Sequence, residues 1–314
     1  MKILFMGTPG LSAEILSALA GEHEVIGAVT NPDRPQGRKG TPQPSAVKEK
    51  ALELGIPVHT CSRLRDPEET AYVCGLDMDL IVVAAFGQIV PPQVLAHPRY
   101  GCVNVHTSLL PAYRGAAPIQ WAILDGCPVT GVSIMQMDEG LDTGDILAQK
   151  EVPIGPEETA EELTEKLAKQ GAELLLDTIR EIGEGTAVRT AQPEQSTTAY
   201  AKMISKDMGR IRWEESADTI LRKIRAFTPW PGTATTMNGL SLKIFKAEAG
   251  PEQDGAVPGL VKTDGRVLMA AAADRYLILT EVQLAGKKKM AAADFLRGSR
   301  IAPGTVLGKP SDNK

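Results

Sequence analysis

Cysteine is scarce in this 314-residue chain: four residues, Cys61, Cys74, Cys102 and Cys127, with no CxxC spacing among them. That pattern argues against a disulfide scaffold and a thiolate zinc site, fits a reducing cytoplasm, and leaves each cysteine as a small buried hydrophobe. No apolar run reaches the ~18–20 residues that cross a bilayer, so no membrane partner is expected. The first residues, MKILFMG, enter a strand-like run directly and leave no room for a signal peptide. Neither GxGxxG nor GxxxxGK[ST] occurs, so GTPG at 7–10 is not a dinucleotide or P-loop site although it lies between a strand and a helix. Ser108 and Ser133 are outside any GxSxG elbow, which removes support for a hydrolase triad. Aromatic residues are sparse too, at 4%.

What is present describes an ordinary globular protein, with 43% hydrophobic and 23% charged residues. The length favours two domains. Over the first ~150 residues, apolar strands alternate with amphipathic helices: KILFM (2–6), EVIGAVT (24–30), PVH (57–59), DLIVVAAF (79–86), GCVNVHTS (101–108) and VTGVSIMQM (129–137). Ser45 reads as an N-cap, Gly55 as a helix stop, and Asp66-Pro67 as a cap with proline at the first helical position. DLIVVAAF is continuous enough to be a central strand covered on both faces. The pattern predicts an α/β fold, a doubly wound and mostly parallel Rossmann-like sheet. A charged helix follows over 156–182, and the polar stretch 183–210 is the best linker signal. The tail then turns to short β-like pieces, with Asp264-Gly265 as a hairpin signal, and predicts a small barrel of about five strands. The domains expected are 1–188, a linker at 189–208, and 209–314.

Charge is divided unevenly. Residues 206–314 hold 18 Lys and Arg against 12 Asp and Glu, and the first 205 hold 16 against 27. A basic tail suggests an anionic partner, with nucleic acid foremost, although a solvated basic face has the same composition. Within the acidic first part, residues 31–50 form a long connection with five Lys/Arg and two acids, the kind of loop that usually carries function. Lys287, Lys288 and Lys289 are either an exposed turn or a phosphate contact.

Chemistry concentrates in NVHTSLLP (104–111). Strand alternation puts Asn104 and His106 on one face, near the carboxyl end where open α/β sheets form their ligand crevice. His23, His59 and His97 lie at element edges or in a loop and are expected to have a surface or structural role. The loop Asp138–Asp145 offers four carboxylates but lacks the EF-hand order, so no calcium or other metal site is expected. One of these carboxylates can meet His106 across the crevice, and the residues themselves leave open which.

The motifs GTPG, NPDRPQGR, AAFGQIVP, NVHTSLLPAYRGAAPIQ, MDEGLDTGD, FTPWPG and LAGKKKM occur in that order over residues 5 to about 300. In this the chain resembles the methionyl-tRNA formyltransferases, a branch of the 10-formyltetrahydrofolate-dependent formyltransferases. The resemblance implies a catalytic set of Asn104, His106 and Asp142. It also implies a 10-formyltetrahydrofolate site formed by Ser108, Leu109, Leu110 and Pro111 with Phe86, Gln88, Ile89 and Val90, and a cis bond before Pro111. Asn104 and His106 would donate to the tetrahedral oxyanion and Asp142 would help move the amine's proton. The implied tRNA contacts are Arg38 and Lys39 in the basic loop, Lys287, Lys288 and Lys289 in the tail, and an OB-like barrel as the tRNA-binding domain. A cytoplasmic monomer acting on initiator methionyl-tRNA is the resulting expectation. Gly10, Leu11, Thr107 and Arg212 depart from the family's usual residues without touching the catalytic three. The competing readings are the same chemistry on a sugar nucleotide, glycinamide ribonucleotide or water, or a non-catalytic RNA-binding module.

Overall fold

A computed structural model of the chain describes residues 1–36, 40–253 and 255–309. The chain forms two compact units: Met1–Pro118, Val129–Ile154 and Leu163–Lys202 make one, and Ile119–Pro128, Gly155–Glu162 and Met203–Lys314 the other.

In the first unit, β1 (Lys2–Gly7), β2 (Glu24–Thr30), a short ribbon of β3 (Arg34–Gln36) and β4 (Thr41–Gln43), β5 (Val58–Thr60), β6 (Leu80–Ala84), β7 (Cys102–His106), β8 (Val129–Gln136) and β9 (Ile146–Pro153) succeed one another. The helices in chain order are α1 (Gly10–Glu22), α2 (Ala46–Glu53), α3 (Pro67–Cys74), α4 (Pro92–Leu95), α5 (Pro118–Leu124), which from Ile119 on belongs to the second unit, and α6 (Ala160–Glu184), which belongs to the first unit from Leu163 on. Seven strands form one sheet in the order β5-β2-β1-β6-β7-β8-β9. Two of the local signals act as expected, while Asp66 stands at the N-cap of α3 with Pro67 at the first helical position but makes no side-chain capping bond. The Ser45 hydroxyl accepts from the Lys48 amide at 3.0 Å and caps α2, and Gly55 ends it at φ +70°. All five residues of β6 are buried, and β6 pairs in parallel with β1 and β7. At Gly7 a Cβ would sit 2.7 Å from the Ser12 Cβ and 2.8 Å from the Ala84 carbonyl, so GTPG serves close packing of α1 on the sheet.

Two features differ from the sequence expectation. β8 continues the sheet but runs antiparallel to β7, with His106 opposite Ser133 and Val103 opposite Gln136. The chain leaves β7 at its carboxyl end and re-enters the sheet beside it from that same end, without crossing back, so β8 runs in the opposite direction. The basic connection, read as a loop, contains the β3–β4 ribbon, pairing Arg34 with Gln43 and Gln36 with Thr41. Arg38 and Lys39 lie outside the described residues.

The second unit contains α7 (Ala217–Ala226), β10 (Thr233–Met237), β11 (Leu240–Glu252), β12 (Val261–Thr263), β13 (Leu268–Ala271), β14 (Arg275–Leu284), β15 (Met290–Ala291) and α8 (Ala292–Gly298). The barrel expected here is realised as a six-stranded antiparallel sheet in the order β10-β11-β14-β13-β12, with β15 on β14. Register shifts along β11 bend it against β14. The Asp264-Gly265 turn joins β12 to β13, with the Asp264 carboxylate accepting from the amides of Arg266 and Val267. Trp213, Ile220, Leu242 and Leu277 are among the buried apolar side chains of its core.

Candidate active site

β7 carries Asn104 and His106 toward the carboxyl end of the parallel strands, two residues apart and therefore on one face. His106 is 6% exposed. Its Nε2 lies 3.1 Å from the Tyr113 carbonyl. A carbonyl can only accept, so Nε2 holds a proton and donates it, and Nδ1 is left facing Asp142 Oδ1 at 3.7 Å. At that separation the two side chains face each other without a direct hydrogen bond. Asn104 is half-buried, and among the described residues its side-chain amide makes no hydrogen bond. Its two N–H donors are therefore free for a ligand beside His106.

Asp142 arrives by an indirect route. Because β8 is antiparallel, the loop after it starts level with Val103, three residues and about 10 Å from His106. The loop folds back to cover that distance. Asp138 closes its turn by accepting from the Gly140 amide and the Thr143 hydroxyl. Asp142 sits at φ +56°, and its Oδ2 accepts from the Gly115 amide at 2.9 Å. Among the four carboxylates left open by the sequence, geometry thus brings Asp142 to His106. Ala85 at φ +43° and Tyr113 at φ +56° are also left-handed non-glycine residues, following β6 and the SLLP loop. Such backbone costs ~1–3 kcal/mol per residue and gathers at functional sites.

The SLLP loop is anchored from beneath by a serine. The buried Ser133 hydroxyl donates to the Ser108 carbonyl at 2.6 Å and accepts from the Leu110 amide at 3.0 Å. Gln149 of β9 donates to the Ser133 hydroxyl at 2.8 Å and to the Leu110 carbonyl at 2.9 Å. The Leu110–Pro111 peptide is cis, as the resemblance implied.

The expected folate residues at 86–90 divide. Phe86 and Val90 belong to the apolar core, 2% and 4% exposed. The Gln88 side chain accepts from the Leu64 amide and donates to Asn31 Oδ1 and the Cys61 carbonyl, each within 2.7–2.8 Å. Ile89 alone of these presents its side chain, at 48% exposure. The side chains of Phe86, Gln88 and Val90 are thus committed within the protein, where they support the loop.

The polar stretch read as a linker is, up to Lys202, part of the first unit. Thr198 Oγ1 accepts from the Tyr113 amide at 2.7 Å, Ser196 Oγ donates to the Pro111 carbonyl at 2.6 Å, and the Ala201 amide donates to the Arg114 carbonyl at 2.8 Å. Buried Arg114 donates to Gln192 Oε1 and to the carbonyls of Pro193 and Glu194. The sequence contained one signal of this strap, Arg114 in the RGAAPI motif, and none that named its partners. Gly115 must be glycine, since at φ +129° its Cβ would stand 2.6 Å from the Ala201 carbonyl.

His59 and His97 are engaged within the protein. His59 pairs with Glu69 at 2.5 Å and stacks on Tyr72, and His97 contacts the Leu76 carbonyl. The four cysteines are free. Cys61 and Cys102 are buried, and desolvation pushes their thiols up, to about 11 and about 12. Cys74 and Cys127 are only half-buried, less enclosed than expected. Among the tail lysines, Lys289 pairs with Glu281 at 2.8 Å and lies over the Phe245 ring, whereas Lys287 and Lys288 are exposed. Among the described residues no cluster of three or more His, Cys, Asp or Glu could hold a metal ion, and no helix is long and apolar enough to cross a membrane.

A mostly parallel α/β sheet followed by an antiparallel domain is the architecture of the formyltransferases that this chain matches. Residues 1–179 match the family described as Formyl transferase, and residues 203–300 match Formyl transferase, C-terminal domain. The methionyl-tRNA formyltransferase of Sorangium cellulosum is 44% identical over 98% of this chain and 100% of its own. An N-formyltransferase from Helicobacter canadensis, solved with folinic acid and dTDP-3-aminofucose, shares the fold at TM-score 0.67 and 21% identity, covering 92% of this chain and 100% of that one. HypX from Aquifex aeolicus, solved with tetrahydrofolic acid, matches at TM-score 0.63 and 20% identity over 96% of this chain, which spans 49% of that longer protein. The chain belongs to the methionyl-tRNA formyltransferase family.

Proposed function

We propose that the protein transfers the formyl group of 10-formyltetrahydrofolate to the amino group of initiator methionyl-tRNA. The observation that carries the reading is the convergence of the unpartnered Asn104 amide, His106 and Asp142 at the end of β7. The amine attacks the formyl carbon, a C–N bond forms, and the carbonyl oxygen becomes an oxyanion. Asn104 donates to that oxygen, as does His106 when protonated at Nδ1; one such donor is typically worth ~10²–10³ in rate. Asp142, directly or through water, takes the proton released by the amine. Collapse of the intermediate breaks the bond to the folate nitrogen, which takes up, directly or through water, the proton that Asp142 accepted from the amine. The chain's own side chains suffice for each of these transfers.

The folate lies against the SLLP loop and the backbone of 86–90, with Ile89 at its edge. The tRNA is held by the basic connection with Arg38 and Lys39, and by the antiparallel domain with Lys287, Lys288 and, less directly, Lys289. Acting as a cytoplasmic monomer is part of the same reading, checked by light scattering and fractionation. The decisive experiment offers labelled formyl folate to initiator methionyl-tRNA, glycinamide ribonucleotide and sugar nucleotides. Label should enter the tRNA, and Asn104→Ala or Asp142→Asn should each lower kcat by ~10²-fold or more. Label entering another acceptor in preference, or full activity in both variants, overturns the reading.

A further inference from the structure

Gln192 lies in the polar stretch that separates the two family matches, 1–179 and 203–300. Its side-chain amide is fully used. Oε1 accepts from Arg114 Nε at 3.1 Å and Nη2 at 2.9 Å, and Nε2 donates to the Asp142 carbonyl at 3.1 Å and the Gly144 carbonyl at 2.7 Å. That exhausts the two lone pairs and two protons of a primary amide. The orientation is unambiguous, because guanidinium only donates and carbonyls only accept. Arg114 is buried at 7% exposure and fastened to the same strap through the Pro193 and Glu194 carbonyls, so it is a fixed anchor. The loop it reaches through Gln192 holds Asp142 at φ +56°, a backbone state that needs outside support. The two carbonyls that Gln192 ties down flank Thr143, while the Asp142 carboxylate itself accepts from the Gly115 amide.

We propose that Gln192 is a positioning residue: by bridging Arg114 to the carbonyls of Asp142 and Gly144 it fixes the Asp142 carboxylate where it faces His106. The inference rests on the reading of Asp142 given above. Formyl transfer is sensitive to this placement, since an error of ~1 Å at a catalytic group costs about 10²-fold in rate. The strap thereby makes the carboxylate's geometry depend on a segment 50 residues away in sequence.

Gln192→Glu is the discriminating variant. It keeps size and both acceptors for Arg114, so the strap stays anchored, but it replaces the two donors by an acceptor aimed at two carbonyls. The expected result is a melting temperature equal to or above wild type, unchanged affinity for the folate, and kcat lowered about 10- to 100-fold. Gln192→Leu, which cuts both links, should lower kcat similarly and the melting temperature as well. The second readout is the cycle with Asp142→Asn. If Gln192 acts through the carboxylate, Gln192→Glu should cost less than twofold in the Asp142→Asn background. Wild-type kcat in Gln192→Glu, or a loss that multiplies with that of Asp142→Asn, overturns the inference. Full activity in Asp142→Asn alone would instead overturn the functional reading on which it rests.

Discussion

Removing a single oxygen beneath the SLLP loop should register in both stability and folate binding. Ser133→Ala deletes a hydroxyl that is completely buried and joins three partners. It strands the Ser108 carbonyl and the Leu110 amide, which belong to residues 0% and 3% exposed, so water cannot replace the lost bonds. Each buried polar group left unmade costs ~1–3 kcal/mol, and the Gln149 amide retains its bond to the Leu110 carbonyl and recovers part of that. The expected destabilisation is about 2–4 kcal/mol. At ~2–4 °C per kcal/mol for a unit of this size, melting should fall by about 5–15 °C. The loop that the folate is proposed to contact is then no longer held in its bound shape. Every ~1.4 kcal/mol of ordering transferred to the binding step weakens Kd tenfold. Urea denaturation followed by circular dichroism and a fluorescence titration with the folate measure the two effects. Ser196→Ala is the control: its hydroxyl donates to the Pro111 carbonyl in a half-buried setting where water can substitute, so about 1 kcal/mol or less is expected. A Ser133→Ala protein within ~0.5 kcal/mol of wild type and with unaltered folate affinity would refute the reasoning, as would equal costs for the two variants.

Two further outcomes follow from the electrostatics. Burial lowers the pKa of His23, assisted by the N-terminal ammonium, and its Nε2 has no hydrogen-bond partner among the described residues. The neutral form is the one the fold prefers, so its contribution is fully present above the unfolded value near 6.5 and is lost as pH falls through and below it. Thermal denaturation from pH 7.5 to 5 should show this loss, and His23→Gln should flatten the slope; an unchanged slope would exclude His23 as its source. In the tail, Lys287→Ala and Lys288→Ala should each reduce the salt dependence of tRNA binding by about 0.7–0.9 for every phosphate the lysine neutralises, measured by filter binding. Lys289→Ala should change it less, because Glu281 already neutralises that ammonium; the reverse ranking would refute the assignment.

The elements most legible in advance are those whose causes are local. Ser45 caps its own helix three residues on, Gly55 supplies a positive φ where α2 stops, and five consecutive apolar residues can only be satisfied in a strand covered on both sides. Asn104 and His106 share a face because strand alternation is a property of the backbone. The Phe86–Val90 stretch was recognised as important, but whether its side chains touch a ligand or the protein depends on Asn31, Cys61 and Leu64, which the chain brings in from elsewhere.

By itself the sequence determined a mostly parallel sheet, a basic tail of short strands after it, and the shared face of Asn104 and His106. Only the tertiary structure decided that β8 runs backward, that the acidic loop therefore returns about 10 Å to place Asp142 at His106, and that residues 189–202 strap the site. The physical reason is range. Periodicity and capping act over three or four residues, whereas strand direction and the Arg114–Gln192–Asp142 bridge are settled between residues 27–78 apart, whose pairing no local pattern encodes.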